Sequence, residues 1–262
     1  IEDVDVKYND TLGTPFGYGT YGSRSAAVGG TAVFNAVKKI KQKALRIGAH
    51  MLEASVDDVV YEEGKVSVKG SPDQAKTIQE IAGAAALGYS LPEGDEPFLD
   101  ETAYFDPPNT TWPFGTHICV VEIDKETGLV QVTKYLAVDD VGNVVNPMIV
   151  DGQIHGGIAQ GVAQALWESG EYDESGQLIS GSLMDYAIPR TDCLPNFELD
   201  RTVTPSPTNP LGVKGVGETG TIASTPAVVN AVMDALSPFG VTNLNMPLTS
   251  QKIWTAIQNK GA

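Results

Sequence analysis

The stretch THICVVEIDKETGLVQVTKYLAVDDVGNVVNPMIVDGQIHGGIAQG, residues 116–161, decides the fold class. Its first half carries two apolar-rich segments on either side of Lys125-Glu126-Thr127-Gly128, which predicts a hairpin with strands over about 117–124 and 130–138. Asn146-Pro147 then opens a helix: Asn caps free N–H groups, and Pro fits the first helical position, where no hydrogen bond is lost. Gly152, Gly156, Gly157 and Gly161 fall inside that helix. Each costs roughly 1 kcal/mol relative to Ala, so all four are expected to face a crowded interior, against a neighbouring backbone or a ligand.

Working outward, the chain opens on Ile1-Glu2-Asp3-Val4-Asp5-Val6, which reads as a strand already inside a fold and implies a truncated or processed chain. A Gly-rich stretch over 13–30 leads into Val33, Val37, Ile40, Ala44, Ile47 and Met51, whose spacing by three or four predicts a long amphipathic helix. Residues 59–68 alternate around a turn at Glu63-Gly64, a second hairpin, and a short helix follows over 77–87. Pro, Gly and acids fill 89–112, as an irregular connection would. Strands and turns are expected to alternate over 172–203, with helices over 227–236 and 250–258 and an extended segment at 244–247. Hairpins and helices mix without a strand–helix–strand rhythm, so the class is α+β, with subdomains over 1–112 and 113–262.

Bulk properties exclude several functions. A net charge of −16 argues against nucleic acid, whose phosphates need clustered Lys and Arg. Two cysteines, Cys119 and Cys193, are too few for a disulfide framework or an iron–sulfur cluster, so any cluster sits on a partner. There is no apolar run of membrane-spanning length, and a soluble, cytoplasmic protein is expected. His50, His117 and His155 share no metal-ligand spacing.

Three segments could carry chemistry. In Gly212-Val213-Lys214-Gly215-Val216-Gly217-Glu218-Thr219-Gly220, glycines let backbone approach a ligand and deliver Glu218 as a candidate general base. In Gly17-Tyr18-Gly19-Thr20-Tyr21-Gly22-Ser23-Arg24-Ser25, two hydroxyls and a guanidinium stand before the long helix, where free N–H groups can hold a phosphate. Gln153, His155, Gln160 and Gln164 offer uncharged donors suited to a polar heterocycle. Spacing alone leaves the bland alternatives open: a solvated loop, a plain serine cap and a solvated glutamine face.

These segments recur in order with Phe105-Asp106-Pro107-Pro108-Asn109, Val138-Asp139-Asp140, Gly152-Gln153-Ile154-His155-Gly156-Gly157, Met184-Asp185-Tyr186-Ala187-Ile188-Pro189 and Asn209-Pro210. On these motifs, which span nearly the whole chain, it resembles the C-terminal portion of the molybdenum-binding large subunit of the xanthine oxidase family, nearest the aerobic-type carbon monoxide dehydrogenases. The resemblance implies an oxidoreductase that binds molybdopterin cytosine dinucleotide, with no protein ligand to molybdenum. It implies Glu218 as catalytic base, in a buried setting that would raise a carboxyl pKa and suit the role. Gln153 and Gly217 would meet the cofactor, and Ser23, Arg24, Ser25, Ala26, Ala27 and Val28 would line its pyrophosphate and dinucleotide end. Implied partners are an N-terminal part of the same subunit and iron–sulfur and FAD-binding subunits. Copper would enter only through that N-terminal part, since neither cysteine lies in a copper-binding loop. Alternatives are an aldehyde or N-heterocycle hydroxylase of the same family, and a non-catalytic folding or scaffold fragment. The isolated chain is expected to bind cofactor poorly and to be inactive.

Overall fold

The computed structural model describes residues 2–8, 10–13 and 17–260. Two compact units emerge, one from Ile1–Ser25, Trp112–Pro205 and Val213–Ala262, the other from Ala26–Thr111 and Ser206–Gly212. The class is α+β in both.

The smaller unit is built on α1 (Thr31–Met51), a meander of β1 (Val59–Glu62), β2 (Lys65–Val68) and β3 (Ser71–Thr77), and α2 (Ile78–Leu87). Thr77 caps α2 reciprocally with Glu80: the Thr77 hydroxyl accepts from the Glu80 N–H, and the Glu80 carboxylate accepts from the Thr77 N–H. Ala44, Ile47, Val59, Val66, Ile81 and Ala85 form the core. Gly48 makes the α1–β2 contact possible, since a Cβ there would lie 2.8 Å from the Val66 side chain. The expected stripe along α1 is buried only in its second half, because Val33 and Val37 are exposed. The irregular 89–112 segment is tied back by Arg46, whose Nε donates to Asp95 at 3.0 Å, and by Lys39, which donates to the Thr102 carbonyl.

In the larger unit, β4 (Phe114–Ile123) pairs antiparallel with β5 (Val130–Asp140), and β5 pairs parallel with β6 (Phe197–Thr202). The sheet's inner face packs Val130, Val132, Tyr135 and Ala137 in one core with Ile154 and Ile158 of α3 (Pro147–Leu166), Val228 and Val232 of α4 (Thr219–Leu236), and Ile253 and Ile257 of α5 (Ser250–Lys260). Asn146 caps α3 by accepting from the Ile149 N–H at 3.3 Å, with Pro147 in the first turn. Three expectations fail. Residues 2–8 form no strand, since none of the described strands pairs with them. Within 172–203 the one named strand is β6, besides a single bridge between Tyr172 and Leu178. The last long helix starts at Thr219 rather than 227, carrying Pro226 in its interior.

Helices α3 and α4 meet along small residues four apart on each, Gly157 and Gly161 against Gly220 and Ser224. A Cβ on Gly157 would lie 2.8 Å from the Gly220 Cα and the Thr221 N, and one on Gly161 would collide with Ser224. Gly152 and Gly156 have nothing within 4 Å, so only half of the glycines face a crowded interior. The contrast is testable. Gly156→Ala is expected to raise stability by up to about 1 kcal/mol through helix propensity. Gly157→Ala is expected to lower it, because overpacking costs about 1–3 kcal/mol. Thermal unfolding of the two variants side by side checks the order.

Both cysteines are free. Burial pushes the Cys119 thiol up to about 11, while Cys193 is exposed. An alkylating agent at pH 8 is expected to modify Cys193 and spare Cys119, read by peptide mass spectrometry.

Candidate active site

Asp140, at the end of β5 and 0 % exposed, fixes the Gly-rich loop. It accepts from the Lys214 Nζ at 2.8 Å, the Gly142 N–H at 3.0 Å and the Thr202 hydroxyl at 3.0 Å. Burial alone would raise its pKa; the Lys214 ammonium, the Gly142 N–H and the Thr204 hydroxyl and N–H outweigh that and hold it well below the usual carboxylate range. Backbone contacts add to the anchor: the Lys214 N–H donates to the Val141 carbonyl at 2.8 Å, and Gly142 bridges Val213. The Lys214 ammonium also lies 4.4 Å from the centre of the Phe114 ring.

From that anchor the chain runs through Gly215, Val216 and Gly217 to Glu218, the residue that precedes the first turn of α4. A short acceptor there, Asp, Asn, Ser or Thr, would cap the helix's first N–H groups; Glu is longer and is not among the preferred caps. Glu218 makes no such bond; its Oε2 accepts from the Ser23 hydroxyl at 2.7 Å. Ser23 adopts a left-handed conformation, φ 55°, uncommon for a residue with a side chain. Gly215 admits it: a Cβ at 215 would stand 2.5 Å from the Ser23 Cβ and 2.6 Å from its carbonyl oxygen.

Gln153 completes the group. A Cβ on Gly217 would fall 3.1 Å from the Ser23 Oγ and 3.7 Å from the Gln153 Oε1, so the space left by the missing side chain is bounded by Ser23 and Gln153, beside Glu218. The helix seam sets this register, because Gly220 sits so close to α3 that its Cβ would be 2.6 Å from the Ile154 carbonyl, next to Gln153. Segments around 23, 153 and 218, far apart in sequence, therefore converge. Glu218 is exposed in this chain, so the expectation of burial is not met.

Other sequence candidates go elsewhere. The Arg24 guanidinium donates to the Gly19 carbonyl, at 3.0 Å from Nε and 2.7 Å from Nη2, and to the Tyr21 hydroxyl, stacking 4.1 Å over that ring. The Ser25 hydroxyl is bonded to that of Thr20. Helical backbone does begin at Ser25, as a wide turn over Ser25–Gly30 continuous with α1, so its first N–H groups are those of Ser25, Ala26, Ala27 and Val28. His155 is two residues, about 200°, around α3 from Gln153; its Nδ1 bonds the Asp151 carbonyl and its ring packs on Phe197. Gln164 accepts from Thr225 across the helix seam. Sequence reasoning missed Asp140 and Lys214. The available signal was Val138-Asp139-Asp140, whose neighbouring acids serve two partners: Asp139 shares a hydrogen bond with buried His117 at 3.2 Å, and Asp140 holds Lys214. Among the described residues no group of three or more His, Cys, Asp or Glu side chains could hold a metal ion, and no described helix is long and apolar enough to cross a membrane.

The chain is 44% identical over 257 residues to the carbon monoxide dehydrogenase large chain of Hydrogenophaga pseudoflava, covering 98% of this chain and 32% of the relative. Its structure matches reconstituted CO dehydrogenase from Oligotropha carboxidovorans with a TM-score of 0.87 and 41% identity, over 96% of this chain and 31% of that one. It matches quinoline 2-oxidoreductase from Pseudomonas putida 86 with a TM-score of 0.86 and 40% identity, over 94% and 32%. The chain thus spans about a third of the length of these relatives. The family described as the molybdopterin cofactor-binding domain matches residues 1–195, and the chain belongs to that family.

Proposed function

We propose that this chain forms part of a molybdenum hydroxylase of the carbon monoxide dehydrogenase kind, with Glu218 as general base. The supporting observation is the meeting of a carboxylate, a serine hydroxyl and a glutamine amide around the gap at Gly217. The residues present fit a molybdopterin cofactor, which in this reading is the cytosine dinucleotide form. Gly217 leaves a cradle that a Cβ would fill, and α3 presents bare backbone at Gly152 and Gly156. Gln153 would hold the pterin, and the free helical N–H groups of residues 25–28 would hold the dinucleotide end, since such groups favour phosphate even in an acidic protein.

When bound, the cofactor supplies the two-electron redox chemistry. Glu218 takes the proton that the reaction releases, and Gln153 orients the heterocycle through an amide that both donates and accepts. The Asp140–Lys214 pair keeps the loop still, so the base needs no reorganisation at the moment of transfer. Electrons leave through iron–sulfur and FAD-binding subunits, in the cytoplasm, since two cysteines cannot hold a cluster here.

The equal likeness to quinoline 2-oxidoreductase supports a second reading, an N-heterocycle hydroxylase with the same base and no copper. Metal analysis of the full protein, purified with its natural partners, tests both. Molybdenum with copper supports the carbon monoxide reading, and molybdenum alone supports the heterocycle reading. Neither metal would overturn the hydroxylase assignment and leave a folding or scaffold role.

A further inference from the structure

We infer that Ser23 is a positioning residue for Glu218, holding the carboxylate away from its own helix and leaving one oxygen open for proton transfer. The inference rests on the general-base reading of Glu218 and deepens it. Its basis is the 2.7 Å hydrogen bond from the Ser23 hydroxyl to Glu218 Oε2, between residues 195 apart in sequence. Three features make that bond a built one. Ser23 stands at φ 55°, a conformation that costs a side-chain-bearing residue free energy and persists where surroundings enforce it. Gly215 is packed so closely on Ser23 that any side chain at 215 would displace it. Glu218 stands directly before α4 and makes no side-chain bond to the helix's first N–H groups, so its carboxylate is held by Ser23.

A consequence concerns the phosphates. A serine hydroxyl has one proton to donate. Donated to Glu218, it cannot also go to a phosphate, so Ser23 serves the base while the helical N–H groups of residues 25–28 remain for the anion. Among the described residues Oε1 of Glu218 has no hydrogen-bond partner, which leaves it to face the reactant.

The test uses the assembled enzyme with Ser23→Ala, Ser23→Gly, Ser23→Asn and Glu218→Gln. Gly removes the hydroxyl and relieves the backbone; Asn keeps a donor and tolerates the left-handed region. Ser23→Ala and Ser23→Gly are expected to keep wild-type molybdenum content, unfolding midpoint and KM, with kcat lowered roughly 10- to 100-fold, the range for losing a hydrogen bond to a charged group. Ser23→Asn is expected to recover part of that loss. In a crystal structure of the Ser23→Gly enzyme, the Glu218 carboxylate is expected to have swung onto the Gly220 or Thr221 N–H. Wild-type kcat in both Ala and Gly variants would overturn the inference, as would activity lost only in proportion to cofactor, which would return Ser23 to the phosphates. Undiminished turnover in Glu218→Gln would instead overturn the base reading on which it rests.

Discussion

Replacing Glu218 by Gln in the assembled enzyme is expected to leave molybdenum content unchanged and to lower turnover by roughly 10²- to 10⁴-fold, the range for losing a general base. The two effects separate because the carboxylate is not what holds the loop. Lys214 and Asp140, the Val141–Lys214 backbone bond and the α3–α4 seam fix its course without Glu218. Gln has nearly the same shape, and its amide oxygen can still accept from the Ser23 hydroxyl, so the side chain should keep its place. What disappears is basicity. Equal losses in kcat and kcat/KM would assign the residue to the transition state alone, and a higher KM with unchanged kcat would make it a binding group. An intact rate would remove Glu218 from the mechanism.

The parts of the fold legible in the sequence are those whose signals are local. The 114–140 hairpin follows from apolar-rich strands around Lys125–Gly128, the α3 start from Asn146-Pro147, and the end of α1 from apolar spacing. Strand β3 was not legible: Ser-Pro-Asp-Gln-Ala-Lys-Thr is polar, over half of it exposed, and it holds an edge mainly by backbone pairing with β2. The parallel β5–β6 pairing joins segments about 60 residues apart and leaves no local mark beyond alternation in Phe197–Thr202. Pro226 signals a helix start, yet α4 runs through it, because Thr219–Thr225 are held by the seam with α3. The site divides the same way. Glycine spacing exposed the 17–30 and 212–220 segments, and the likeness of motifs supplied roles for Glu218 and Gln153. Nothing in either segment could disclose the Ser23–Glu218 bond or the Asp140–Lys214 pair, whose partners meet only once the chain is folded.

That pair carries the second large effect. Lys214→Met keeps the aliphatic stem and removes the ammonium, leaving Asp140, 0 % exposed, as a buried carboxylate with only neutral donors. Breaking a buried pair in this way costs about 3–5 kcal/mol, more than the pair itself contributes, because the remaining charge is uncompensated. The pH dependence gives a second signature. Asp140 is held below its ordinary range in the folded protein, so its stabilisation is complete above about pH 4, the unfolded carboxylate value, and fades as pH falls further toward the folded value. In Lys214→Met, burial acts on the carboxyl without the opposing ammonium, and protonation relieves the strain. The gap in unfolding midpoint between wild type and variant is therefore expected to be widest near pH 7 and to narrow on acidification. Adding Asp140→Asn to Lys214→Met should restore part of the midpoint at pH 7, since no buried charge remains to be matched. Turnover should stay low in both, because the loop that presents Glu218 has lost its side-chain anchor. A Lys214→Met variant that unfolds with the wild type at pH 7 would show that the Gly142–Val213 bridge and the Val141–Lys214 bond hold the loop by themselves.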